Sequence, residues 1–99
     1  MKLIGIMNLE QDKTTVRKLF EKHGVQIYSE TDITGHTVTT LEKYGWRPST
    51  DVPVYSSLCF AIIADERAEE IMNEITRLSR TDASGHPIRA FQVDVERMI

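Results

Sequence analysis

The stretch from Leu58 to Leu78, LCFAIIADERAEEIMNEITRL, restricts what this chain can fold into more than any other, because it demands a strand that feeds directly into a helix. Every residue from Leu58 to Ala64 is apolar, and Asp65 stops the run. A run that short suits a strand buried on both faces. Side-chain alternation sends Cys59, Ala61 and Ile63 to one side of the sheet and Leu58, Phe60 and Ile62 to the other. Beyond the run, Asp65 is expected to accept a hydrogen bond at the N-cap and Glu66 suits the positive end of the helix dipole. Ala68, Ile71, Met72, Ile75 and Leu78 then recur at helical spacing and predict one core-facing stripe. One sheet face can pack under this helix; the other needs a different cover.

With 99 residues the chain fits one domain, 1–99, and a chain of this size withdraws only about two thirds of its surface from water. It has helical material for one sheet face only, and a bare apolar face is an interaction site or an aggregation hazard. Self-association into a homo-oligomer is therefore expected. The formal net charge is -3, with acids and bases interspersed, so no basic patch selects nucleic acid or an anionic membrane. The single Cys excludes an internal disulfide framework. No signal-peptide pattern and no membrane-length apolar run are present, so a cytoplasmic protein is expected.

Lys2 to Met7, KLIGIM, reads as a first strand with Ile4 and Ile6 on one face and Leu3 and Met7 on the other. From Asp12 to His23 the period changes: Val16, Leu19, Phe20 and His23 share one helical face, and Gly24 supplies a left-handed terminator. Val25 to Thr34 alternates again and predicts a long second strand with Val25, Ile27 and Ile33 together. Gly35 to Tyr55 has no sustained period and carries Gly45, Pro48 and Pro53, which reads as one long loop. Structureless connections of about 20 residues are uncommon in compact domains unless they have a function. Tyr44, Trp46 and Arg47 are residue types enriched at binding hot spots, so the loop is expected to be ordered by a partner protein that they contact. A turn-rich segment, Arg80 to Pro87, precedes a last strand from Ile88 to Val95. The order βαββαβ in a chain this short predicts an α+β, ferredoxin-like fold: a four-stranded antiparallel sheet with both helices on one face.

The opening KLIGIM, the helix ending VRKLFEKHGV, the strand VQIYSETDITG before a long loop, the segment IIADERAEEIMNEITRLSRT and the closing FQVDVE together resemble the PII-like signal-transduction family. The last two are the most specific. The resemblance implies a homotrimer whose sheets form a central core and adenine nucleotide bound in clefts between subunits. It also implies a long T-loop, here 36–55, that projects to a target protein such as a membrane transporter. Nitrogen-regulatory members hold phosphates with a loop like TGxxGDGK, where this chain has TDASGHPIR. Thr81, Gly85 and Arg89 retain the framework and the cation, whereas His86 and Pro87 replace the acidic residue and second glycine, and proline removes an N–H donor. With Gly35 and His36 at the start of the long loop, Thr81, Gly85, His86 and Arg89 make up the ligand-binding set that the resemblance implies.

No nucleophile, base and orienting group can be assembled from the sequence, so catalysis is not expected. His23 lies on the apolar stripe of the first helix and reads as a packing residue; Cys59 reads as an inert core thiol. His36 and His86 leave a second reading open, a metal-binding trimer similar in fold to the CutA family with these two imidazoles as ligands. The leading expectation is a non-catalytic regulator in which a small effector orders the long loop and so changes the surface offered to a target.

Overall fold

Residues 1–35 and 55–99 are described by the computed structural model of the chain. Alternating Ile4 and Ile6 with Leu3, Gly5 and Met7 makes β1, Lys2–Asn8, the strand around which the sheet is built. A 3-10 turn at Glu10–Asp12 leads into α1, Lys13–Lys22; β2 is Ser29–Asp32, β3 Ser57–Ile63, α2 Asp65–Arg80 and β4 Arg89–Asp94. The strands lie in the order β2-β3-β1-β4 and every neighbouring pair is antiparallel. This is the ferredoxin-like βαββαβ fold. The residues assigned to the T-loop-like segment, His36, Tyr44, Trp46 and Arg47 among them, lie outside the described residues except at its last position, Tyr55.

Both helices cover one side of the sheet. Val16, Leu19 and Phe20 from α1 and Ile71 and Ile75 from α2 meet Ile4, Ile6, Cys59 and Ala61 in a single core. The register leaves the other residues of each strand on the opposite face, in rows that run across the sheet: Phe60, Gly5 and Phe91; Ile62, Leu3 and Val93; Leu58, Met7 and Arg89. On that face Phe60 keeps 38 %, Ile62 39 %, Phe91 41 % and Val93 52 % of its surface in contact with solvent. No described element covers it. Phe91 lies directly over Gly5, where a Cβ would stand 2.3 Å from the ring.

Three local expectations are corrected. The second strand does not begin at Val25. Gly24 adopts φ +70, its N–H bonds the Glu21 carbonyl at 3.1 Å and the Val25 N–H bonds the Phe20 carbonyl at 2.9 Å, a Schellman cap that winds Val25 into the helix end. Val25 is therefore buried, Tyr28 stacks on Phe20 at 4.9 Å, and Ile27 is 86 % exposed instead of sharing their face. Asp65 does not cap α2: Ala64 occupies the N-cap with no side-chain bond, and the Asp65 carboxylate lies 2.9 Å from the Met1 nitrogen. Leu78 leaves the core stripe: it is partly exposed beside Thr15, Lys18 and Leu19 in a shallow groove between the helices.

Candidate functional site

Antiparallel register brings the end of β1, the end of β2, the start of β3 and the start of β4 to one edge of the molecule: Asn8 faces Ser57, Asp32 faces Ser57 on the other side, and Met7 faces Arg89. The C-terminus of α2 and the segment 81–88 reach the same edge. Gly35, Thr81, Gly85, His86 and Arg89, far apart in sequence, are thus placed around one end of the sheet. His36 belongs to the same set and lies outside the described residues.

Beyond β2 the chain keeps its pairing, with the Ile33 N–H on the Ser56 carbonyl at 3.0 Å and the Gly35 N–H on the Tyr55 carbonyl at 2.9 Å. Gly35 fits where a side chain would not. A Cβ there would stand 2.9 Å from the Tyr55 Cβ and 3.0 Å from its backbone nitrogen. Tyr55 then reaches away from this pair to the segment after α2: its hydroxyl donates to the Pro87 carbonyl at 2.5 Å, and its ring meets the His86 imidazole edge-on with centroids 6.1 Å apart.

The segment 81–87 is built from its own side chains. The Thr81 hydroxyl donates to the Leu78 carbonyl at 3.1 Å and so finishes α2. The Asp82 carboxylate accepts the Ser84 N–H at 2.6 Å and also the Ser84 hydroxyl, and the Ser84 oxygen accepts the His86 N–H at 3.0 Å. The Ser84 hydroxyl and amide hold the Asp82 carboxyl below its usual range. Gly85 turns at φ +80 with open space where a side chain would stand. The amides of Ser84 and His86 are occupied within the loop, and Pro87 has none, so Arg89, exposed at the start of β4, is the group of this set best suited to an anion.

Beneath this edge, the buried Asn8 donates to the Leu9 carbonyl at 2.7 Å, while its Oδ1 and the Asp12 Oδ2 have no hydrogen-bond partner among the described residues. Burial, and secondarily the charge of Asp82, pushes the Asp12 carboxyl up. Among the described residues, no three His, Cys, Asp or Glu side chains converge as a metal ligand set. Cys59 is buried, and burial above all pushes its thiol up, as suits a core residue. Among the described residues, no helix is long and apolar enough to cross a membrane. Sequence reasoning passed over Tyr55; the signal for it was an aromatic residue shortly before the apolar run that starts at Leu58.

A ferredoxin-like sheet, open on one apolar face and carrying a long insertion between its second and third strands, is the class of architecture defined here. No protein-family model matches the chain, and no curated protein matches it. Solved structures do. A nitrogen regulatory PII-like protein from Thiomonas intermedia, bound to ADP, AMP and bicarbonate, superposes with a TM-score of 0.63 at 13 % identity, over 99 % of this chain and 94 % of that one. A candidate PII-like signalling protein from Thermus thermophilus superposes with a TM-score of 0.64 at 20 % identity, over 95 % of this chain and 85 % of that one. The chain has the fold of the PII-like proteins, as the sequence resemblance implied.

Proposed function

We propose that this protein is a diverged PII-like regulator: a non-catalytic homotrimer that binds a small effector in clefts between its subunits and offers the segment 36–55 to a target protein. A membrane transporter is the kind of target the resemblance implies. The observation that carries this reading is the uncovered apolar sheet face on a fold shared with PII-like proteins. Burying that face against other copies would bring the edge that holds Gly35, the 81–87 loop and Arg89 to the margin of an intersubunit cleft. Adenine nucleotide is the first effector to consider, because the Thiomonas protein is described as bound to ADP and AMP. Arg89 has the chemistry to meet a phosphate, since its planar fork of donors pairs with two oxygens at once.

Calorimetric titration of the purified protein with ADP and with AMP tests the effector class. Saturable binding is expected, and Arg89→Ala should weaken it by about tenfold, the scale of one charge-assisted contact. Equal binding by the variant would remove Arg89 from the site. A wild-type protein that takes up neither nucleotide would overturn the adenine-nucleotide reading.

A further inference from the structure

Tyr55 stands where three parts of the chain meet. Its carbonyl receives the Gly35 amide at 2.9 Å, which makes it one half of the last described pair on either side of 36–54. Its hydroxyl donates to the Pro87 carbonyl at 2.5 Å and its ring lies against His86. The close approach of Gly35 to the Tyr55 backbone and Cβ leaves little room for one to shift without the other. On the far side, the bonds from Ser84 to Asp82 and from His86 to Ser84 tie Asp82, Ser84 and His86 into one braced unit next to Pro87. Proline offers only its carbonyl to a hydrogen bond, so the Tyr55 hydroxyl holds the one backbone polar group of that residue.

We propose that Tyr55 is a positioning residue that couples the 82–87 loop to the Gly35–Tyr55 pair, so that a group bound at the loop sets how firmly that pair is held. The role of the loop as an effector site rests on the function proposed above; the coupling itself is mechanical and needs no ligand. Its two states are the Tyr55–Pro87 hydrogen bond made and broken. Anything that draws the Pro87 carbonyl away leaves a half-buried hydroxyl without its acceptor and loosens the pair at the sheet edge. By linkage, a target that fixes the Gly35–Tyr55 pair would in turn favour one arrangement of the loop.

Amide hydrogen exchange on the intact, ligand-free chain decides the matter with three variants: Tyr55→Phe, the loop variant D82A/S84A, and the two combined. The loop variant should speed exchange of the His86 amide and, through Tyr55, of the Gly35 amide by about fivefold, the factor expected for one neutral hydrogen bond. In the Tyr55→Phe background the Gly35 amide should already exchange faster by about that factor, and the loop changes should add nothing. The coupling is refuted if the loop variant leaves Gly35 exchange unchanged with the hydroxyl present, or speeds it equally with and without the hydroxyl. Added ADP should alter Gly35 exchange in the wild type and not in Tyr55→Phe. Failure of ADP to bind the wild type counts against the effector reading alone, because the ligand-free comparison still decides the role of Tyr55.

Discussion

Glu74 ties the two helices together at the end of α1. Its carboxylate accepts from Lys22 and lies 2.6 Å from the His23 Nε2, while Glu70 faces the other ring nitrogen at 3.5 Å and Arg77 stands 3.9 Å away. Lys22 first, then His23, hold the Glu74 carboxyl below its ordinary 4.5. A carboxylate with a depressed folded-state pKa stabilises the fold above its unfolded value and loses that contribution as pH falls through the folded one. Acid should therefore weaken the protein below about pH 4.5 in part through this residue. Glu74→Gln should cost about 1 kcal/mol at pH 7, the scale of a partly exposed charged pair, and flatten the acid limb. Urea melts at pH 7 and pH 3 provide the check, and an unchanged acid loss in the variant would place the effect elsewhere. His23 is half-buried, as its place on the apolar stripe suggests, but a carboxylate satisfies it as well as packing does.

Among the elements, β1 depends most on a single small residue. Gly5 sits between Phe60 on β3 and Phe91 on β4, and the Phe91 ring fills the space a Cβ would take. Its backbone is not in the left-handed region, so the glycine serves close approach and not a turn. Gly5→Ala must push the ring outward. The ring is the end of a flexible side chain on an open face, so the subunit should lose only about 1 kcal/mol. The apolar surface made by the three strands would be disturbed, however. Self-association should weaken far more than folding does, and Phe91→Ala in the same chain should restore part of it. Sedimentation velocity beside thermal melts separates the two effects: equal losses in folding and assembly would show that Phe91 does not shape a contact surface.

At the scale of the molecule, one sheet face carries the core and the other carries Phe60, Ile62, Phe91 and Val93 in the open. Covering each of these exposed halves would stabilise an assembly by on the order of 1 kcal/mol, and in the proposed trimer the same face of two further copies would be the cover. Light scattering at micromolar concentration should report a trimer. Phe60→Asp should yield a folded monomer, because the substituted side chain points away from the core and its charge has no partner on the interface. A wild type that stays monomeric would remove the basis for clefts between subunits.

Much of this was legible in the sequence for a physical reason. Period two and period 3.6 report which side of an element is apolar, so β1, α1, β3, α2 and the bare face of Phe60 and Ile62 follow from residue order. Where two local tendencies compete, periodicity cannot choose. Val25 and Ile27 alternate like strand residues, but Gly24 and the free carbonyls at the end of α1 capture Val25 first. Asp65 looks like a cap, yet the backbone turns one residue earlier, at Ala64. The grouping of Gly35, His86 and Arg89 at one edge, and the bond from Tyr55 to Pro87 across 32 residues, are properties of strand register. Register is decided only when β1, β3 and β4 pair, and no local pattern in the chain records it.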